Sequence, residues 1–255
     1  MPIIEYQTEG HRAVITINRP DARNAVNGEV AQGIEDAIDR FEADDALWVG
    51  ILTGVPPVFS AGADLKEINA GRAADLNTRR GGFAGITRRE RTKPIIAAVD
   101  GAALAGGTEI ALACDLIVAS TSARFGIPEV KRSLVAAAGG LFRLPRKLPF
   151  NVAMELTLTG DPIDAERAHH FGLVNLLCEP GQALDKAGEL AGRIEANAPV
   201  AVRAARRVVL AAVTEDEATG WRLSGEAMAE AMASEDLKEG LVAFIEKRPP
   251  AWTGR

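Results

Sequence analysis

The chain has 255 residues, a formal net charge of −6, 47% hydrophobic and 25% charged residues, and two cysteines. That balance suits a folded protein with a sizeable core and argues against a disordered chain. It gives no general pull toward nucleic acid or an anionic membrane, and Cys114 and Cys178 offer neither a disulfide framework nor metal-ligand spacing.

The opening MPIIEYQTEG lacks a charged leader with a long apolar core, and no run reaches membrane-spanning length, so a cytoplasmic location with no membrane partner is expected. Residues 3–8 and 13–18 are rich in β-branched side chains and flank Gly10, which predicts a hairpin. Asn27 is placed to cap a helix whose apolar residues Val30, Ile34, Ala37, Ile38 and Phe41 follow the 3.6-residue period. Residues 47–53 return as a strand. Strand, helix, strand implies a crossover unit and an α/β layout.

Small residues then fill the turn from Val58 to Asp64, ahead of a short polar helix over 64–69. Such a turn leaves the Ala63 N–H free to donate, although an ordinary turn capped by Asp64 has the same pattern. Ser60 has no G-x-S-x-G surroundings and is not read as a nucleophile. Residues 70–91 are polar, with Gly81-Gly82-Phe83 at their middle, and read as a long surface loop with a helical piece. Its arginines (Arg79, Arg80, Arg88, Arg89, Arg91) read as a solvated face.

Residues 95–120 carry two apolar strand runs around a glycine-rich turn and a short helix that begins near Gly106 and Gly107. Unpaired N–H groups and the positive end of the helix dipole face that turn. Glu109, on the first helical turn, reads either as a capping carboxylate or as a working acid. Residues 124–130 give a short strand, a turn at Pro128 and a second acid, Glu129. A helix with a basic end is predicted over 136–148, then helices over 151–159 and 164–171 and a strand over 173–178. His169 and His170 are adjacent with no third ligand, so no metal site is expected.

From Gln182 onward the pattern is helical: 183–196, 200–213, 217–232 and 235–246, with breaks at Asn197-Ala198-Pro199 and Thr214-Glu215-Asp216. These helices are apolar enough either to cover the core or to pack on another subunit. No internal repeat is visible. A Walker lysine, a dinucleotide fingerprint, zinc spacing and a Ser-His-Asp set are all missing from the sequence. What remains is a pair of helix-start turns with free N–H groups and a pair of glutamates. Those groups suit a thioester or similar carbonyl becoming an enolate, with carboxylates moving protons beside it.

The blocks Phe59-Ser60-Ala61-Gly62-Ala63-Asp64-Leu65-Lys66, Ala98-Val99-Asp100-Gly101-Ala102-Ala103-Leu104-Ala105-Gly106-Gly107-Thr108-Glu109 and Phe125-Gly126-Ile127-Pro128-Glu129 resemble those of the crotonase (enoyl-CoA hydratase/isomerase) superfamily, in family order. The likeness runs from the opening hairpin to Glu246-Lys247-Arg248. It implies an α/β fold, a crotonase-like spiral of β-β-α repeats over residues 1–196 that carries the CoA site and catalytic residues. A C-terminal all-helical trimerisation region over 197–255 would follow, in a homotrimer or a dimer of trimers.

By position the resemblance assigns the oxyanion-hole N–H groups to Ala63 and Gly106. It makes Glu109 and Glu129 the coupled acid/base pair of a hydratase, Glu109 activating water at C3 and Glu129 exchanging the proton at C2. The implied substrate is a 2-enoyl-CoA, converted to 3-hydroxyacyl-CoA, with no metal or redox cofactor and coenzyme A arriving within the substrate. Ala61, Asp64, Leu65 and Lys66 match pantetheine and adenine contacts, and Arg23 and Ala25 a strip near the nucleotide. Lys247 is either a phosphate contact, in its own or a neighbouring subunit, or a solvated lysine.

Ala136-Ala137 depart from the Pro-Gly that hydratases often carry ahead of Ala-Gly-Gly, which leaves acyl preference open. Gly81-Gly82-Phe83-Ala84-Gly85 and the tail over 247–252 are similar to carnitinyl-CoA dehydratases, the runner-up. A catalytically weak acyl-CoA-binding or assembly paralogue is the reading from another class, and two retained glutamates argue against it.

Overall fold

In the computed structural model, which describes residues 2–255, the opening hairpin pairs β1 (Ile4–Glu9) antiparallel with β2 (Arg12–Ile17). The Asn27 side chain accepts from the Val30 N–H at 2.9 Å and starts α1 (Gly28–Ala43), whose buried face carries Val30, Ile34, Ile38 and Phe41. β3 (Val49–Gly54) and the short α2 (Leu65–Asn69) follow. A two-residue ladder of β4 (Asn77–Thr78) and β5 (Gly82–Phe83) leads to β6 (Ile95–Val99), β7 (Ala102–Leu104) and α3 (Gly106–Ala113). Next come β8 (Leu116–Ser120), β9 (Arg124–Gly126), α4 (Gly140–Lys147), α5 (Phe150–Thr159), β10 (Ile163–Asp164), α6 (Ala165–His170) and β11 (Leu176–Cys178). Four helices close the chain: α7 (Ala183–Glu195), α8 (Pro199–Ala211), α9 (Glu217–Ala233) and α10 (Glu235–Glu246).

The main sheet runs β1-β2-β3-β6-β8-β11, parallel throughout except for the first pair, and a small second sheet runs β10-β9-β7. Four parallel strands of the main sheet, β2, β3, β6 and β8, hand the chain to this second layer and then to a helical segment. β2 leads through Val26 to α1, and β3 leads through Ser60 and Ala63 to α2. β6 leads through β7 to α3, and β8 through β9 to a 3-10 turn at Pro128–Arg132. Isolated bridges Val26–Ala63 and Ser60–Ala103 extend the second layer where no strand forms. This is a spiral of β-β-α units. Its repeat is invisible in the sequence because the second member shrinks to three residues or a single bridge, too short for an alternation signal.

Two layers cover the main sheet. α1 packs on one face, while α7 sets Ala183, Ala187 and Ala191 against Val49, Ile51, Ile96 and Val118 on the other. β3 and β6 are therefore buried on both faces and read as continuous apolar runs. Each large aliphatic side chain so buried contributes about 1.5–3 kcal/mol.

Several expectations are corrected. Residues 81–87 are buried, not a surface loop. The Glu35 carboxylate, 5% exposed, accepts from the Gly81 N–H at 2.7 Å and the Thr78 hydroxyl at 2.5 Å, which ties the segment to α1. Nor are its arginines all solvated: Arg89 is paired with Asp39, and Arg91 with Asp115 at 2.5 Å. β7 lies inside what reads as a glycine-rich turn. α4 begins only at Gly140, and Pro199 opens α8 at a position where its missing N–H costs nothing.

The last helices are thinly covered. α9 has no buried residue, and Trp221, Phe244 and Ile245 are 73%, 84% and 77% exposed. Arg206 of α8 is nevertheless tied to the core, donating to Asp115 at 2.9 Å and to the Arg91 carbonyl at 2.7 Å. No helix among the described residues is long and apolar enough to cross a membrane.

Candidate active site

The sharpest turn in the second layer sits at the entrance to α3. Ala105 adopts φ 53°, ψ −127°, while its N–H donates to the Gly126 carbonyl at 2.9 Å. A non-glycine residue held there stores on the order of 1–3 kcal/mol of strain. The turn presses the first residue of α3 against its neighbours. A Cβ on Gly106 would lie 2.5 Å from the Phe83 ring, and one on Gly62 would lie 2.6 Å from the Gly106 nitrogen. The turn before Ala63 and the start of α3 thus touch backbone to backbone.

That contact brings two donors together. The Val26–Ala63 bridge uses the Gly62 carbonyl and the Asp64 N–H, at 2.8 and 2.9 Å, so the intervening Ala63 N–H faces away from it. Among the described residues, neither the Ala63 N–H nor the Gly106 N–H has an acceptor. Ser60 is structural: its buried hydroxyl donates to the Asn24 carbonyl at 2.8 Å and accepts from the Gly62 N–H at 3.1 Å.

Glu109, 3% exposed, does not cap its own helix. Its Oε1 accepts at 2.8 Å from the N–H of Gly140, the first residue of α4, so it sits at the positive end of that helix. Burial pushes its carboxyl up to about 7. The Gly140 N–H pulls in the other direction, and the charge of Glu129 adds to the rise. Glu129 is half-buried on the 3-10 turn behind Pro128, and burial raises its carboxyl too. Its Oε2 is sealed from solvent with no hydrogen-bond partner. Burial thus raises both carboxyls, and the charge of Glu129 opposes the ionisation of Glu109, so the two titrate as a linked pair.

All these groups line one cleft of about 870 Å³. Of the residues assigned from sequence, Ala63, Gly106, Glu109, Glu129, Arg23, Ala25, Ala61, Asp64, Leu65 and Lys66 all border it. Lys247 does not: it is an exposed residue at the C-terminal end of α10, with φ 55°. Asp64 is committed to structure, accepting from Arg19 at 2.7 Å and from the Lys66 N–H at 2.9 Å. Burial works against its ionisation, but the Arg19 and backbone hydrogen bonds outweigh it and hold the carboxyl below its ordinary range.

The cleft also takes Arg19, Phe83, Thr87, Arg88, Arg132 and Leu134, none of which the sequence reading assigned to it. Phe83 and Thr87 lie in the segment read as surface, and only the glycines around Phe83 signalled close packing. Ala137 and Ala138 line the same cleft, so the departure at Ala136-Ala137 does fall near the site.

Comparison with known proteins gives the family. The family described as Enoyl-CoA hydratase/isomerase matches residues 7–255. The Short-chain-enoyl-CoA hydratase of Clostridium acetobutylicum is 39% identical over 250 residues, 95% of this chain and 94% of that protein. The Carnitinyl-CoA dehydratase of Proteus mirabilis is 37% identical over 254 residues, 97% of each. The crystal structure of an enoyl-CoA hydratase from Mycobacterium tuberculosis H37Rv superposes with a TM-score of 0.96 at 49% identity, covering 100% of both chains. In sequence along nearly its whole length and in fold, the chain belongs to the enoyl-CoA hydratase/isomerase family.

Proposed function

We propose that this chain is a hydratase of 2-enoyl-CoA thioesters, adding water reversibly to give 3-hydroxyacyl-CoA. One observation carries the reading: two acceptor-free N–H groups and two carboxyls raised by burial border the same cleft. The thioester oxygen takes hydrogen bonds from Ala63 and Gly106, and the dipole of α3 favours the charge that develops as the enolate forms. Each such donor contributes on the order of 10²- to 10³-fold.

Water lies between the carboxyls. Glu109 accepts a proton from it as its oxygen bonds to C3, and Glu129 delivers a proton to C2. The reaction thus needs one ionised and one protonated carboxyl. The addition leaves Glu109 protonated and Glu129 ionised, and one proton passing back from Glu109 to Glu129 restores the pair, which is therefore the working unit. This chemistry calls for no metal or redox group, and coenzyme A enters as part of the substrate. At the mouth, Arg23 and Lys66 are exposed cations suited to its phosphates, and Leu65 offers apolar surface to the pantetheine.

Residues 197–255 act as the oligomerisation region in this reading. The uncovered Trp221, Phe244 and Ile245 suit subunit contacts in a homotrimer or dimer of trimers, in which Lys247 reaches a neighbour's phosphate. Two free cysteines accord with a cytoplasmic setting. A carnitinyl-CoA dehydratase activity is the second reading, favoured by the segment over 81–87 that brings Phe83 and Thr87 to the cleft.

Crotonyl-CoA hydration by Glu109→Gln and Glu129→Gln tests the mechanism. Each substitution is expected to cut kcat by about 10²- to 10⁴-fold while CoA binding persists. Undiminished turnover in both variants, or turnover confined to carnitinyl-CoA, overturns the first reading. Thioester binding with no turnover across a panel of acyl groups identifies the assembly paralogue instead.

A further inference from the structure

Thr87 has a hydroxyl that the fold does not use. Its N–H donates to the Phe83 carbonyl at 3.2 Å, and its carbonyl accepts from Arg143 at 2.6 Å, so its backbone is engaged on both sides. The residue is only 2% exposed, yet it borders the cleft. No hydrogen bond engages its Oγ1 among the described residues, and that oxygen is not one of the sealed orphan atoms, so the small exposed part of Thr87 includes the hydroxyl. A hydroxyl on so nearly buried a residue is normally paired, and here the remaining access is from the cleft.

Its place along the cleft is fixed by Arg143. The guanidinium spans from the Thr87 carbonyl to the Ala138 carbonyl, 2.6 and 3.2 Å away, and Ala138 lies two residues before the Gly140 that holds Glu109. The Thr87 backbone is thereby tied to the segment that supports Glu109, and Phe83, Leu104 and Ala138, which line the same cleft, are apolar. From this juxtaposition we infer that Thr87 is a substrate contact, its hydroxyl pairing with a hydroxyl group carried on the acyl chain beyond C3. The chain is thereby selective for hydroxylated over plain short enoyl-CoA thioesters. This deepens the proposed hydratase reading and rests on it.

The test compares kcat/KM for 4-hydroxycrotonyl-CoA and crotonyl-CoA in the wild type, Thr87→Val and Thr87→Ser. The wild type is expected to favour the hydroxylated thioester. Thr87→Val, which keeps the shape, lowers the ratio of the two values about tenfold, the effect of one hydrogen bond to a buried partner. Thr87→Ser, which keeps the hydroxyl, preserves the ratio and shows that the loss is not one of folding. A wild type that prefers crotonyl-CoA, or a ratio unmoved in Thr87→Val, overturns this inference and leaves the hydratase reading intact. Turnover of neither thioester by the wild type overturns both.

Discussion

At the inner end of the cleft Glu109 is 3% exposed, Gly106 is packed on the Phe83 ring, and the groups with chemistry to offer are backbone N–H groups and two carboxyls, one of them held by the Gly140 N–H. At the mouth Leu65 is 51% exposed, and Arg23, Arg132 and Lys66 stand in solvent, the first two on tight turns and Lys66 at the start of α2. The two ends work by different physics. Inside, low dielectric and fixed geometry make each group worth orders of magnitude. Outside, water and salt reduce each charge to a fraction of that, and attraction comes from several cations together.

Gly106→Ala tests the inner end most severely. The added methyl meets Phe83, so the donor must shift. We expect kcat to fall by at least about 10²-fold, beside a loss of roughly 1–3 kcal/mol in denaturant unfolding. Wild-type kcat with the methyl in place would show that the N–H is not used.

A second test reads the raised acid through stability. Burial raises the Glu109 carboxyl from its ordinary 4.5 to about 7 in the folded state, which therefore binds more protons across that window. Its stabilising contribution is fully present below 4.5 and lost as pH rises through about 7, a swing on the order of 3 kcal/mol. Stability of the wild type should therefore fall relative to Glu109→Gln over that range. Parallel stability curves would contradict a buried, raised carboxyl.

Arg143→Gln links the two regimes. Removing its charge takes away an influence that lowers the Glu109 carboxyl, so the kcat/KM inflection should move to higher pH. The lost hydrogen bonds to Thr87 and Ala138 should cost about 1–3 kcal/mol. At the mouth, Lys66→Ala should raise KM only about two- to fivefold, with most of the effect gone at high salt. A hundredfold, salt-insensitive rise there would erase the distinction between the ends.

Reading the sequence reached the parts governed by local rules. The Asn27 cap, the amphipathic α1, the doubly buried β6 and the entry of α3 at Gly106 all follow from neighbours in the chain. The residues of the cleft followed from resemblance, since nothing local shows that Ala63 and Gly106 meet. What escaped was set by distant contacts. β7 exists because β9 pairs with it, residues 81–87 are buried because Glu35 binds Gly81, and Thr87 reaches the cleft because Arg143 holds it there. None of these partners is encoded within a window where periodicity operates.

The crowding around the start of α3 bears on how such chains are recognised. Gly62 approaches the Gly106 nitrogen, Gly106 the Phe83 ring, Gly107 the Ser60 carbonyl, and Gly140 the Glu109 side chain. None of these glycines supplies a reacting side chain, yet a saturation scan should score them as intolerant as the acids. The signature that marks the chain is thus largely a map of clearances, and a redesign that keeps both glutamates but relaxes those clearances would preserve the reagents while losing the vessel.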